Sequence, residues 1–288
     1  IIDFNNLYHP YLENKAVKNN ITIGNKYPQN VIITGPNAGG KSTLIKSVGI
    51  SLLTSQTIGI AFADSMQFTP FNILNSYLNI PDCKGKESLF EAEMHRSLKH
   101  INQCKQLPIE HKSFIIMDEI FSSTNPNEGI SGAYAIAKKM ASFKNSVCLI
   151  TTHFNQLTSL ENEGEFKNYK IPCEHDSMNK ITYPYKLMEG VSDQNIALEL
   201  LSEKGFDNDI IDTAKAISYN LVEQENKLNI QTKQASKLVY EEKPVQAEPV
   251  QGEPVQEEPV QEEPVQAEPV QEEPVQEEPV QEEPVQEE

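Results

Sequence analysis

The stretch from Val31 to Thr43 reads VIITGPNAGGKST, and it decides the fold class of this chain. Its first four residues are apolar or β-branched, which is typical of a buried parallel strand. The next eight, residues 35–42, match the pattern G-x-x-x-x-G-K-[ST]. Apolar residues then recur at helical spacing, with Leu53 as a further candidate beside the main stripe of Leu44, Ile45, Val48 and Leu52. A strand, a glycine-rich loop and a helix in this order predict a phosphate-binding loop.

Each residue type in this loop has a chemical reason. Gly35, Gly39 and Gly40 allow the backbone to curl so that its N–H groups point at phosphate oxygens. The start of the following helix adds free N–H groups and partial positive charge. Lys41 would reach the β- and γ-phosphates of a nucleotide, and the Ser42 hydroxyl would bind Mg²⁺. A chance glycine-rich turn is the alternative, and the flanking strand and helix disfavour it.

Two further apolar runs predict neighbouring strands of the same sheet. Residues 114–117 (FIIM) lead into Asp118 and Glu119, and residues 147–150 (VCLI) are followed by two threonines and then His153. Ligands of parallel sheets bind at the carboxyl ends of the strands. We therefore expect Asp118 to hold Mg²⁺ and Glu119 to orient or polarise the attacking water. His153 would sense the γ-phosphate or its attacking water, a role that depends on its place in the order of motifs.

Two helix starts can be read between and after these strands. Asn125 as N-cap, Pro126 at the first helical position and Glu128 at the third predict a helix with an apolar stripe, namely Ile130, Ala133, Ile136, Ala137 and Met140. Ser88 and Glu91 form a capping box before a helix whose expected buried stripe is Met94, Leu98 and Ile101. This second start is either an ordinary capped helix or an anion site for a nucleotide bound by another subunit.

The net charge of −18 is concentrated at the C-terminus. Residues 241–288 contain 17 Glu and one Lys, hence −16, which leaves −2 for residues 1–240. From Pro244 the chain repeats Pro-Val-Gln-x-Glu nine times, a composition that predicts a disordered, extended segment. The repeat is either an acidic tether or docking site for a basic partner, or a low-complexity expansion with only a solubilising effect.

Composition also bounds the location of the protein. No apolar run approaches the roughly 18 residues that span a bilayer, and no secretory leader is evident. Cys83, Cys104, Cys148 and Cys173 form no C-x-x-C pair and lie near no histidine cluster, so zinc and disulfides are disfavoured. We expect an intracellular protein in a reducing compartment, without contact to a membrane.

In their order along the chain, these motifs resemble the C-terminal ATPase domain of the MutS family of DNA mismatch-recognition proteins, an ABC-type P-loop ATPase. The resemblance runs from about Leu7 to about Ile217. The loop matches G-P-N-x-G-G-K-S-T, residues 88–94 resemble the signature S-T-F-x-x-E-M, and Thr152-His153 matches the Thr-His switch. Tyr8-His9-Pro10 is similar to the His-Pro strand that begins the family's domain.

The resemblance implies a three-layer α/β P-loop NTPase with a mostly parallel central sheet, which binds ATP and Mg²⁺ and hydrolyses ATP. Catalysis would depend on Glu119 and His153, and Mg²⁺ on Ser42 and Asp118. The implied nucleotide-binding residues are Gly35, Pro36, Asn37, Ala38, Gly39, Gly40, Lys41, Ser42, Thr43, Gln56 and, from the opposite subunit, Ser88. ATP would close a homo- or heterodimer and hydrolysis would open it.

The same resemblance sets the expected domain organisation. Residues 1–222 would be the ATPase domain, with a helix-turn-helix dimerisation element at about 190–220 that includes Ile210, Ala214 and Ile217. Residues 223–243 would be a polar linker that could form a helix, and 244–288 the disordered acidic tail. The mismatch-binding and clamp domains would lie upstream of Ile1, so double-stranded DNA is implied as a partner by family alone.

Three departures from the family pattern bear on function. Ala38 replaces the usual Met, Leu89 replaces Thr in the signature, and Phe121-Ser122-Ser123 replaces Gly-Arg-Gly before Thr124. The last change affects expected contacts between subunits and leaves Asp118 and Glu119 intact. Two other functions remain open. One is a MutS-like ATPase that acts in recombination or nucleic-acid remodelling outside mismatch repair, and the other is a nucleotide-gated scaffold module with an acidic docking tail.

Overall fold

The structure is a computed structural model, and it describes residues 1–78, 88–178, 180–192 and 196–221. All of them belong to the first of two units, Ile1–Lys227, and the second unit, Leu228–Glu288, lies outside the described residues. The expected linker and acidic tail therefore lie outside the described residues, as does Cys83. No helix in the described part of the chain is long and apolar enough to cross a membrane.

A six-stranded sheet forms the centre of the domain, in the order β11-β8-β3-β7-β6-β5. Its strands are β3 (Asn30–Thr34), β5 (Ile73–Tyr77), β6 (Ser113–Asp118), β7 (Ser146–Thr151), β8 (Phe166–Lys170) and β11 (Met188–Glu189). All neighbours are parallel except β11, which pairs antiparallel with β8. The three apolar runs read from the sequence are β3, β6 and β7, so the prediction of a mostly parallel central sheet is confirmed.

Apolar cores cover both faces of this sheet, which is why its strands read as continuous apolar runs. Along β6, Phe114 and Ile116 face one core, and Ile115 and Met117 face the other. The first core contains α1 (Lys41–Ile58) and a three-stranded antiparallel sheet of β1 (Ile2–Leu7), β2 (Asn19–Ile23) and β4 (Ser65–Phe68). The second contains residues of α2 (Leu89–Gln106), of α3 (Pro126–Ala141) and of a 3₁₀ helix, Asn155–Glu163. The architecture is that of a P-loop NTPase-like α/β domain.

The predicted helices α1 to α3 form, and one position on α1 and one predicted strand differ from expectation. Asn125 caps α3 by accepting a hydrogen bond from the backbone N–H of Asn127, and Pro126 is the first helical residue, as predicted. On α1 the stripe of Leu44, Ile45, Val48 and Leu52 is buried, but Leu53 is 53% exposed, so the prediction for Leu53 was wrong. Tyr8-His9-Pro10 follows β1 rather than forming a strand, because the His9 side chain caps a 3₁₀ helix that begins at Pro10.

Helix α2 turns a polar face towards the sheet. Ser88 is its N-cap and accepts from the Glu91 N–H, as predicted, and Ile101 is buried, but Met94 and Leu98 are exposed. The other buried positions are Glu93, Ser97, His100 and Cys104, which share one helix face. They can be buried because they are hydrogen-bonded, whereas the apolar pair at 94 and 98 lies on the outer face.

His100 is the centre of a buried polar cluster between α2 and the sheet. One of its ring nitrogens lies 2.6 Å from the side-chain nitrogen of Asn75 on β5, and the other lies 3.4 Å from the sulfur of Cys104. Cys104 in turn contacts Ser113, whose hydroxyl donates to Ser146 on β7 over 2.9 Å. Burial lowers the pKa of His100 to about 4.

The C-terminal part of the described chain is helical. Helix α4 (Ala197–Glu203) is followed by Gly205 in the left-handed region (φ 82°) and by a second helix over residues 208–221. Ile211 is buried, and Ile210 and Ile217 are about half exposed. Asn195, which the expected helix-turn-helix includes, lies outside the described residues, and that element stays a prediction.

Candidate functional site

The loop between β3 and α1 needs its glycines for two different reasons. Gly35 (φ 148°) and Gly40 (φ 96°) adopt backbone conformations that side chains disfavour. Gly35 also passes so close to Ile171 that a Cβ atom added at Gly35 would lie 2.4 Å from the Ile171 carbonyl oxygen. A Cβ atom at Gly39 would lie 2.9 Å from the carbonyl oxygen of Pro36. Gly39 therefore allows a close approach of the backbone, Gly40 allows the curl, and Gly35 is needed for both.

The segment after β8 supports this loop from the other side. The Ile171 N–H donates to the Thr34 carbonyl over 2.9 Å, and the Ser192 N–H donates to the Thr34 hydroxyl over 2.8 Å. The ring of Tyr185 lies against Gly40, where an added Cβ atom would sit 3.0 Å from it. The loop conformation thus depends on residues 171–192 as well as on its own glycines.

Lys41, the first residue of α1, points into the loop. Its side chain is only 4% exposed, and its ammonium group donates to the carbonyls of Gly35 (2.9 Å) and Pro36 (3.2 Å). It also lies 3.7 Å from Oε1 of Glu119. Burial lowers the pKa of Lys41, while the carboxylates of Glu119 and Asp118 act in the opposite direction. A buried cation is held here by nearby acceptors and carboxylates.

The acidic end of β6 lies beside this lysine. The Thr151 hydroxyl on β7 donates to Asp118 and so fixes the orientation of that carboxylate. The backbone N–H of Glu119 points at the carbonyl and the hydroxyl of Thr151, over 3.0 and 3.1 Å. Glu119 has φ 53°, which is uncommon for a residue with a side chain. Strand β7 therefore positions the Asp118 carboxylate and the backbone of Glu119.

These groups open into one cavity of about 820 Å³, within the size range of small-molecule and cofactor sites. The loop lines it with Pro36, Asn37, Ala38, Gly40, Lys41, Ser42 and Thr43, and the end of β6 and the residue after it contribute Asp118 and Glu119. Tyr185 and residues of the N-terminal segment also line it, namely Tyr8, His9, Leu12, Lys15, Val17 and Asn19. The residues expected for phosphate and Mg²⁺ binding thus lie around one space.

Five predicted site residues do not line this cavity, namely Gly35 and Gly39, which shape the loop, and Gln56, His153 and Ser88. Gln56 lies fifteen residues along α1 from Lys41, about 22 Å along the helix axis, and its amide pairs with both backbone groups of Phe71. His153 follows β7 and is exposed, with its ring 4.3 Å from that of Phe154. Ser88 is exposed at the start of α2, whose residues Leu89 and Glu93 do reach the cavity.

Sequence reasoning missed several cavity residues. Glu93 is 4% exposed and Tyr77 is 2% exposed, yet both line the cavity. Tyr185 also lines it, and its ring stacks on that of Tyr183. Of these three residues, only Glu93 could have been found from the sequence, since it lies in the segment 88–94 that resembles the family signature. Tyr77 and Tyr185 reach the cavity only through the tertiary fold.

The donor set is suited to Mg²⁺ held together with a phosphorylated ligand. Ser42 and Asp118 offer oxygen atoms, which are the ligands that Mg²⁺ prefers, and both line the cavity. Among the described residues no cluster of three or more His, Cys, Asp or Glu side chains could hold a metal ion without further ligands. Mg²⁺ bound through one or two protein groups plus substrate phosphates is the usual arrangement in such sites.

A family model described as MutS domain V matches residues 31–222. The chain is 31% identical over 223 residues to an endonuclease MutS2 from Leuconostoc mesenteroides, an alignment that covers 75% of this chain and 26% of the relative. The MutS2 of Finegoldia magna is 32% identical over 221 residues, which is 75% of this chain and 27% of the relative.

A second group of relatives carries a different name. The DNA mismatch repair protein MutS of Microcystis aeruginosa is 26% identical over 259 residues, which is 86% of this chain and 28% of the relative. The chain therefore spans about a quarter of the length of the curated relatives it matches.

Proposed function

Because the chain belongs to the MutS family, through the domain V that residues 31–222 match, we propose that it binds ATP in the cavity at the phosphate loop and hydrolyses it. The observation that carries this proposal is the convergence of Lys41, Ser42, Asp118 and Glu119 on one cavity. A cation, two oxygen ligands for Mg²⁺ and a carboxylate near the phosphate position are the parts that phosphoryl transfer to water requires.

The phosphates would bind at the loop and at Lys41. Backbone N–H groups of the loop and the first turn of α1 would donate to phosphate oxygens. The ammonium group of Lys41 would exchange its bonds to the Gly35 and Pro36 carbonyls for bonds to the β- and γ-phosphates. Phosphate would also compete with Glu119 for Lys41, which would release that carboxylate for its role in hydrolysis.

Ser42 and Asp118 would hold Mg²⁺, whose positive charge neutralises charge that develops on the phosphates. Glu119 would accept a proton from the attacking water, or orient that water for in-line attack. Its backbone is fixed by Thr151, so its carboxylate operates from a defined position. His153 as a γ-phosphate sensor, Gln56 as a nucleotide contact and Ser88 as a contact in trans stay predictions.

The nucleoside would occupy the side of the cavity formed by Leu12, Val17 and Tyr185. An aromatic ring and two aliphatic side chains offer a surface on which a purine can stack. Replacing Tyr185 with Ala should raise KM for ATP, and replacing it with Phe should preserve KM. An equal rise for both variants would contradict stacking as the role of Tyr185.

The test of hydrolysis is Glu119→Gln. This variant should bind ATP with wild-type affinity, measured by titration calorimetry, and lose at least about 100-fold in kcat. Glu174→Gln, an exposed position on β9 (Glu174–His175), is the matched control and should keep wild-type kcat. Unchanged hydrolysis by Glu119→Gln would remove Glu119 from this role.

We further propose that the domain works as a dimer with composite sites. The half-exposed side chains of Ile210 and Ile217 support this, because an unpaired apolar stripe on a C-terminal helix suits contact with a second copy or a related subunit. Sedimentation of the full chain with Ile210→Asp and Ile217→Asp should show a shift towards monomer. A mass that is unchanged by both substitutions would contradict this interface.

The role of the whole protein is proposed from its relatives. Coupling of ATP hydrolysis to mismatched DNA is the first candidate, since one group of relatives is named DNA mismatch repair protein MutS. A MutS2-like role outside mismatch repair is the second, because two of the relatives above are named endonuclease MutS2. Stimulation of ATPase activity by mismatched over matched duplex in the full-length protein would favour the first. Tight ATP binding with negligible turnover would instead favour a nucleotide-gated scaffold.

A further inference from the structure

The loop that carries Glu119 has an unfavourable backbone. Between β6 and α3, both Glu119 (φ 53°) and Phe121 (φ 56°) lie in the left-handed region, which residues with side chains rarely adopt. Two such residues in one short loop persist only where surrounding contacts hold them. The neighbours that provide these contacts therefore control where the Glu119 carboxylate lies.

Three elements hold this loop through hydrogen bonds. Thr151 on β7 accepts from the Glu119 N–H, as described above. The hydroxyl of Tyr77, at the end of β5, accepts from the Phe121 N–H over 3.4 Å. The carboxylate of Glu93 on α2 accepts from the Ser123 hydroxyl over 2.6 Å.

Glu93 and Tyr77 also act on each other. Burial raises the pKa of Tyr77 well above its usual range, and the Glu93 carboxylate acts in the same direction through its charge and a hydrogen bond. Both side chains are almost fully buried and line the same cavity as Glu119. A buried carboxylate that interacts with two hydroxyl groups is suited to fixing the backbone to which those groups connect.

The ring of Phe121 adds an apolar attachment to the same helix. It meets the ring of Phe90, in the first turn of α2, edge to face at 5.3 Å. On its other side it lies against α3, where a Cβ atom at Gly132 would sit 2.7 Å from the ring. Helix α2 therefore contacts the loop at Phe90 and at Glu93, two and five residues after its cap at Ser88.

From this geometry we propose that Glu93 and Tyr77 are positioning residues for ATP hydrolysis. They hold the loop at residues 119–124 so that the Glu119 carboxylate faces the phosphate position, and they make the loop follow any movement of α2. The proposal rests on the proposed function of Glu119. It assigns to Glu93 a role as a hydrogen-bond acceptor, separate from binding ATP or Mg²⁺.

The test compares substitutions in the full chain by kcat and KM for ATP and by ATP affinity at equilibrium. Glu93→Ala should lower kcat at least about tenfold and leave KM and ATP affinity within about twofold, since displaced groups reduce the rate of the chemical step. Glu93→Gln keeps an oxygen that accepts from Ser123 and should retain most of kcat. Ser123→Ala and Tyr77→Phe should each lower kcat several-fold. Glu110→Ala, at an exposed position after α2, is the control for the same chemical change.

Two results would overturn the proposal. The first is wild-type kcat in Glu93→Ala, and the second is an equal loss in Glu93→Gln and Glu93→Ala, which would assign the effect to negative charge. If thermal melting shows that Glu93→Ala is unfolded, Ser123→Ala decides, because Ser123 is exposed and its loss leaves no cavity. Failure of the proposed function is distinct, since it would appear as wild-type hydrolysis by Glu119→Gln.

Discussion

Acidification should weaken the attachment of α2 to the central sheet through His100. This residue is 2% exposed, and its two ring nitrogens contact Asn75 and Cys104. Burial lowers its pKa from 6.5 to about 4. Between these two values the unfolded chain binds a proton at His100 and the folded chain does not. The free energy of unfolding must therefore fall as pH falls through this window.

The size of the effect follows from the two pKa values. At pH 7 both states are mostly neutral at His100, so the difference in proton binding is small. At pH 5 nearly every unfolded molecule is protonated there, against roughly one folded molecule in ten. Integration gives a loss of about 2 kcal/mol between pH 7 and pH 5, and about 3 kcal/mol once the pH is below 4. Domains of this kind are stable by about 5–15 kcal/mol, so the loss is measurable.

Urea unfolding at pH 7, 6 and 5, followed by circular dichroism, measures this slope. His100→Gln has no titrating group and should lose about 2 kcal/mol less than wild type over the range. His111→Gln, at an exposed position, should behave like wild type. Some dependence of the unfolding free energy on pH remains in wild type and in both variants, because burial and the charge of Lys46 also lower the pKa of His9. Parallel losses in wild type and His100→Gln would refute the reasoning.

Three other substitutions test the site and its scaffold. Lys41→Met should raise the Kd for ATP about 100-fold, as measured by calorimetry, because charged hydrogen bonds worth about 1.5–3 kcal/mol each are lost. An unchanged Kd would exclude Lys41 as a phosphate ligand. Gly35→Ala should lower the free energy of unfolding in urea by about 3 kcal/mol or more, since its Cβ atom would strike the Ile171 carbonyl. Gly59→Ala is the control, because its Cβ atom has free space and only its φ of 73° causes strain, at a cost of about 1–2 kcal/mol. Equal costs for the two variants would contradict the steric account. Asn30→Ala should lower the free energy of unfolding by about 2–3 kcal/mol, because the buried Asn30 side chain donates to the Glu165 carbonyl and accepts from the Cys148 N–H. A loss below about 0.5 kcal/mol would argue against this bridge between neighbouring strands.

The parallel sheet and the phosphate loop could be predicted because their causes are local in sequence. Strands β3, β6 and β7 are buried on both faces, so each appears as an uninterrupted apolar run. The loop has a fixed pattern of glycines, and α3 has a fixed order of cap and proline. The antiparallel sheet was not predicted as a whole, because short strands such as β2, with Ile21 and Ile23 between polar residues, give little signal.

The parts that sequence reasoning missed depend on contacts between distant residues. The stripe of Met94 and Leu98 looked like the inner face of α2, yet polar partners on β5 and β6 make the face of Glu93 and His100 the inner one. Tyr77 and Tyr185 both line the cavity, although they lie 36 and 144 positions after Lys41 in the sequence. Periodicity describes one element at a time, so it did not reveal which residues of different elements would meet in the cavity.

The support of the phosphate loop by residues 171–192 sets an order of events during protein synthesis. The loop itself is complete once Thr43 has been added. Its backbone nevertheless rests on Ile171, Tyr185 and Ser192, which are made up to about 150 residues later. At roughly 5–20 residues per second, the growing chain passes several seconds to half a minute with the glycine loop unsupported. The phosphate loop, which comes early in the sequence, is therefore among the last parts of the domain to reach its final conformation. A nascent chain that ends before residue 192 should contain the phosphate-loop sequence but lack the folded loop that binds phosphate.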